Sequence, residues 1–192
     1  MSTAPARKSG FYDNPRFEKI GGKFYAMAAA SVNHSRVSDN ITHMFKLYLK
    51  GRWCKSFSVV NVFLEDDNVI PDNMIVCDKD KIKPNGIHGA PDLVVEILSP
   101  STARFDRDRK MKIYERGGVR EYWLADPANK SIDVYVLEND HFVLSGMYAF
   151  EPDDGMSDYI PEEYRKKTED VFTSRIFPDM EVRLEEVFED VT

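Results

Sequence analysis

The stretch P91-DLVVEILSPSTARFDRDRK-110 decides how this chain folds. Its first half reads as a buried strand over 91–99, because LVVEIL is aliphatic apart from Glu96. A strand turns successive side chains to opposite faces. Asp92, Val94, Glu96 and Leu98 therefore share one face, and Leu93, Val95 and Ile97 take the other. An unpaired carboxylate between Val94 and Leu98 is costly, so Glu96 needs a cation, a set of hydrogen bonds or a raised pKa. The second half predicts a helix from about Asp106 to Arg116, with Ser101 and Thr102 as candidate caps and Gly117-Gly118 closing it. At about 100° per residue, Lys110 falls with Ile113, Tyr114 and Gly117 on the face that packs on the sheet. Lys112 lies opposite, flanked by Arg109 and Arg116. Lys110 is thus aimed at the sheet and toward the Glu96 end of the strand.

Outward from this stretch, FEKIGGKFYAM reads as two strands joined at Gly21-Gly22. Val37, Ile41, Met44, Phe45 and Tyr48 recur at helical spacing over 33–50, before Gly51. Extended segments follow over 57–65 and 70–78, and later in EYWLAD, SIDVYVL and HFVLSGMYAF, with PANK and ENDH as turns. In EYWLADP, Tyr122, Trp123 and Asp126 read as core and turn residues. The tail FPDMEVRLEEVFED predicts a strand and a short acidic helix. This order implies an α/β (α+β) fold, a mixed sheet with a central antiparallel meander and a helix on each side. Residues 1–15 read as a loose leader, 16–192 as one domain, and 151–170 as a surface excursion.

Composition narrows the function. With 42% hydrophobic and 31% charged residues the chain has the make-up of a globular protein. Its apolar runs fall short of the roughly 20 residues a membrane helix needs, and the N-terminus lacks a secretory core. These features predict a cytoplasmic location and no membrane association. Cys54 and Cys77 form no metal-binding pattern or disulfide framework and are expected as buried free thiols. A net charge of −7 argues against coating nucleic acid by bulk electrostatics. Yet residues 103–120 carry Arg104, Arg107, Arg109, Lys110, Lys112, Arg116 and Arg120 against Asp106, Asp108 and Glu115. This basic strip reads either as a focused anion site or as a solvated helix face laced with salt bridges.

Asp92 and Glu96 lie about 13 Å apart along the strand and cannot share one ion directly. Asp72 opens the preceding strand. If the two strands run antiparallel, Asp72 meets Glu96, and both fall within reach of one oxygen-ligated divalent ion. Two acids and an inward lysine suit metal-assisted phosphodiester hydrolysis, the ion holding the phosphate and activating water while Lys110 stabilises charge on phosphorus oxygens.

These residues carry a resemblance. IPD over 70–72, EIL over 96–98 and a lysine in the next helix resemble the PD-(D/E)XK nuclease superfamily. PDLVVEILSPST over 91–102, DRDRK over 106–110, Tyr114, Gly118-Val119 and EYWLADP over 121–127 resemble the Uma-type family of restriction-endonuclease-like proteins, from about Phe17 to FPDMEVRLEEVF. The resemblance implies a restriction-endonuclease-like core and Mg2+ or Mn2+ held by Asp72, Glu96 and the Ile97 backbone carbonyl. The superfamily pattern has a lysine two residues after the acid, where this chain has Leu98; Lys110 from the following helix would take that role. His34 and Glu18 match the family's histidine and acid, as supports for the water or the site. His34 also reads as a helix-end capping residue, Glu18 as a surface strand acid, and Asp92 as a supporting acid or a turn residue beside Pro91. Arg104 and Arg107 are candidate phosphate contacts.

The leading expectation is a metal-dependent endonuclease acting on DNA. The alternative is a catalytically inactive member of the fold, a nucleic-acid-binding or structural dimer; edge strands and the 151–170 excursion are the features that would support a homodimer. An acyl-transfer hydrolase using Ser99 or Ser101 is disfavoured, because neither lies in a GxSxG elbow.

Overall fold

The chain enters through β1 (Phe17–Ile20) and β2 (Lys23–Ala26), an antiparallel pair turned at Gly21 and Gly22 with φ of 57° and 76°. Positive φ at both central residues is what a tight hairpin requires and glycine supplies. The structure, a computed structural model, describes residues 16–100, 102–150 and 170–192. The expected leader at 1–15, the excursion apart from Asp170, and Ser101 lie outside the described residues.

Helix α1 (Val32–Tyr48) begins at Ser31, whose Oγ accepts the His34 backbone N–H at 3.2 Å, and buries Val37, Ile41 and Phe45, as the spacing predicts. The chain then forms β3 (Lys55–Ser58), β4 (Val62–Leu64), β5 (Asp67–Val69), β6 (Asn73–Val76), β7 (Ile82–Lys83), β8 (Gly86–His88) and β9 (Leu93–Ile97). The single strand expected over 57–65 is therefore two strands. The backbone turns at Val59 (φ 55°), whose N–H donates to the Pro71 carbonyl, and the halves join different sheets. FSVVNVFLE is mostly apolar with no clear turn residues, so its pattern does not mark where one strand stops and the next begins. The expected strand over 70–78 likewise starts only at Asn73.

After β9, helix α2 (Ala103–Phe105) runs through a π-helical stretch, Asp106–Lys110, into α3 (Met111–Gly117). The helical region thus begins before the expected Asp106. Thr102 makes no side-chain cap; the Ser99 hydroxyl instead accepts the Thr102 N–H at 3.2 Å. Gly118, at φ 85°, closes α3 in the left-handed conformation. β10 (Glu121–Asp126), β11 (Ser131–Glu138) and β12 (His141–Ala149) follow as antiparallel hairpins. β13 (Val171–Thr173), β14 (Glu181–Arg183) and α4 (Leu184–Val187) complete the tail.

The central sheet has the order β12-β11-β10-β9-β6-β3. It is antiparallel except for β9 and β10, which are parallel because the helical connection carries the chain back to the same end. Leu93, Val95 and Ile97 pack with Val37, Ile41 and Phe45 of α1 and with the tail. Val94 and Leu98 face the opposite side, toward Ile113 and Tyr114 of α3 and the inner face of a second sheet, β2-β1-β5-β4-β8-β7. The alternation read from LVVEIL is the division between these two cores. Among the described residues, no helix is long and apolar enough to cross a membrane.

The cysteines correct an expectation. Lys55 pairs with Val76, which brings Cys54 opposite Cys77, and the two are disulfide-bonded with an S–S distance of 2.01 Å. Nothing in their spacing announces a bond created by the register of β3 on β6.

Candidate active site

β6 and β9 run antiparallel with Asn73 opposite Val95, so Asp72 arrives beside the Glu96 end of β9. Its Oδ2 accepts the Ile97 N–H at 2.7 Å and its Oδ1 lies 2.9 Å from His34 Nε2. Because Ser31 caps α1, the His34 ring is left to meet Asp72. Burial works against the charged ring, but the hydrogen bond and charge of Asp72 outweigh it, and the His34 pKa is raised.

Lys110 is buried, 3.0 Å from both Glu96 Oε1 and Glu18 Oε1 and 3.7 Å from Asp106 Oδ1. Glu18 points inward from β1 and also accepts the Ile70 N–H at 2.8 Å. The Tyr114 hydroxyl donates to Glu96 Oε1 at 2.5 Å. Burial pushes the Glu96 carboxyl well up; Lys110 opposes that shift, while Asp72, Asp106 and Glu18 add to it. Burial also raises Asp106. Desolvation opposes the Lys110 ammonium, yet the carboxylates overcome it and raise its pKa. Glu18, Asp72 and Asp106 all bear on Glu96, with Lys110 as the fixed positive charge among them. This excess of negative charge, built from hard oxygen donors, fits a divalent cation. Among the described residues, no three His, Cys, Asp or Glu side chains are grouped to ligate a metal by themselves. A cation here would take the two strand carboxylates together with backbone and water oxygens.

The structure therefore brings Asp72, Glu96, Lys110, Glu18 and His34 together. Asp92 lies at the other end of β9, where its carboxylate accepts the Cys77 N–H at 2.8 Å and meets Arg120 at 3.4 Å. Leu98 is buried in the apolar core. Arg107 is committed to Asp133 at 2.7 Å, and Arg104 is exposed. Two members of the cluster, Asp106 and Tyr114, were not singled out as site residues by sequence reasoning. The i,i+4 spacing of Asp106 to Lys110 was the available signal. For Tyr114, its helical face was visible but not the carboxylate its hydroxyl would reach.

A mixed sheet with carboxylates at the meeting of two antiparallel strands and a lysine from the crossover helix defines a restriction-endonuclease-like α+β protein. The Uma2 family, described as “Putative restriction endonuclease”, matches residues 6–185, and the chain belongs to that family. The uncharacterized protein slr1290 of Synechocystis sp. is 31% identical over 129 residues, which are 65% of this chain and 68% of that protein. The uncharacterized protein sll1609 of the same organism is 30% identical over 115 residues, 57% of this chain and 65% of that one. A crystal structure from Anabaena variabilis, described as “a putative nuclease belonging to DUF820”, has the same fold, with a TM-score of 0.70 and 19% identity over 93% of this chain and 92% of its own.

Proposed function

We propose that the chain is a metal-dependent endonuclease that hydrolyses DNA phosphodiester bonds, with Asp72, Glu96 and Lys110 at its centre. The observation that carries this reading is the cluster of Glu18, Asp72, Glu96 and Asp106 around Lys110, the one buried lysine among the described residues, whose surplus of negative charge calls for a further cation. Asp72, Glu96 and the Ile97 carbonyl would hold Mg2+ or Mn2+. The Ile97 N–H points at Asp72, and the carbonyl of a strand residue projects to the same side as its N–H. When bound, the ion supplies Lewis acidity toward the phosphate and a more acidic water. Lys110 offers fixed positive charge to the oxygens on which negative charge develops. Tyr114 and Lys110 hold the Glu96 side chain in place, while His34 orients Asp72. Glu18 anchors the ammonium from the second sheet.

A second reading, an inactive member of the fold that binds nucleic acid, is favoured by the sharing of Lys110 among Glu96, Glu18 and Asp106. Incubation with supercoiled plasmid and Mg2+ or Mn2+ separates the two. The nuclease nicks and linearises the plasmid; Asp72→Ala and Glu96→Ala abolish cutting, and Lys110→Ala slows it about 100-fold or more. Cutting that survives Glu96→Ala overturns the assignment.

A further inference from the structure

The second sheet has an inner face that packs on the core and carries Glu18 into the cluster, and an outer face with a different character. The register places one residue from each of five of its six strands in a row across that outer face. Phe24 of β2 pairs with Lys19 of β1, Lys19 with Asn68 of β5, Asn68 with Phe63 of β4, and Phe63 with His88 of β8. Alternation confirms the orientation, since their neighbours Glu18, Ile20, Val62, Leu64, Asp67 and Val69 are buried. Phe24 is 71% exposed, and the Phe63 and His88 rings lie against each other with centroids 4.8 Å apart.

We propose that this row is a binding platform for an unpaired DNA strand, with Phe24 and Phe63 stacking on bases and Lys19 and His88 meeting the backbone. Outward aromatic rings beside a lysine are a surface on which single strands dock, because every unpaired base offers a flat face; bases within a duplex are already stacked on their neighbours. The charge agrees. The row and the adjoining outward residues Phe17 and Ala26 hold no carboxylate, in a chain with 33 acidic residues. Adjacent strands lie about 4.8 Å apart, so Phe24 and Phe63 stand about 14 Å apart and serve separate bases. At the middle of the row, Asn68 donates to Asn61 Oδ1 at 3.2 Å, while its own shielded Oδ1 lacks a donor among the described residues. β1 joins the platform to the carboxylates, since Lys19 faces outward and the preceding Glu18 meets Lys110.

Naming the bound strand as substrate rests on the nuclease reading, but binding is measurable without cleavage. The Glu96→Gln protein, free of divalent ions, is titrated with fluorescein-labelled oligothymidylate, a duplex of equal length and oligouridylate. The single DNA strand is expected to bind at least about tenfold more tightly than the duplex. Phe24→Ala, at an exposed position, should weaken binding about tenfold and Phe24→Tyr should restore it. Lys19→Ala should lower the salt slope by about one unit. Equal binding of oligouridylate agrees with a platform that reads stacking, whereas a clear preference for oligouridylate overturns the DNA assignment. Duplex binding as tight as single-strand binding, or Phe24→Ala binding like its parent, overturns the platform. A protein that never cuts plasmid but binds single strands through Phe24 keeps the platform and loses the nuclease reading.

Discussion

Lys110 balances more negative charge than one ammonium can neutralise, and the energetics of the cluster follow from that imbalance. Breaking a buried ion pair by removing one partner costs about 3–5 kcal/mol, because the other charge is left stranded. Lys110→Met, which keeps much of the stem but leaves Glu96, Glu18 and Asp106 unpaired, is expected to lower unfolding stability by about that amount in urea titrations. Glu96→Gln is expected to act in the opposite direction. Its folded pKa is raised from 4.5, so without divalent ions wild-type stability falls as pH rises from that value through the folded pKa. Glutamine keeps an acceptor for Tyr114 and Lys110 without the charge. Thermal melts in chelator should show Glu96→Gln more stable than wild type at neutral pH, with a flatter pH profile; a variant less stable at every pH refutes this account. His34 adds a slope of the same sign. Its raised pKa contributes stability that is complete below 6.5 and lost as pH rises through the folded value, and His34→Gln should remove that component. Glu96 and Lys110 were legible at this scale because strand and helix periods assign each to a face, and Asp72 because neighbouring strands joined by a loop usually run antiparallel. Tyr114 was not, because a hydroxyl's partner depends on which strand its helix crosses.

At the scale of elements, β9 and the helical segment after it supply most of the cluster. LVVEIL is divided cleanly between two cores, and the π-helical stretch keeps both Asp106 and Lys110 buried. π-Helical turns interrupt an otherwise α-helical segment and often accompany functional sites. The Cys54–Cys77 bond ties β3 to β6 across a sequence separation of 23, at the end of β6 away from Asp72. A loop of that size contributes about 3 kcal/mol in the chain-entropy description. Reduction, or Cys54→Ser with Cys77→Ser, is expected to lower unfolding stability by about that amount while leaving the affinity of the cluster for Mn2+ unchanged. Calorimetric titration of Mn2+ with and without reductant checks both halves. The split of 57–65 into β3 and β4 was not legible, since a mostly apolar run joins Phe57 to Leu64 and only the distant partners separate the two strands.

For the molecule as a whole, a net charge of −7 surrounds a cluster that is itself rich in acids, and binding a divalent ion should stabilise the fold. Mg2+ at a hundredfold over its dissociation constant raises stability by about 2.7 kcal/mol. The melting temperature of the wild type should rise accordingly, and that of Asp72→Asn should not; equal shifts in both proteins would place the ion elsewhere. Local backbone periods and turn chemistry already fix the two-faced strand around Glu96, the inward lysine, helix α1 and the hairpins β1–β2, β10–β11 and β11–β12. The folded chain adds the antiparallel register that brings Asp72 to Glu96, the reach of Glu18 from a second sheet to Lys110, the Cys54–Cys77 bond and the single row of Phe24, Lys19, Asn68, Phe63 and His88. Those relations depend on strand register between segments far apart in the chain, which local patterns leave open.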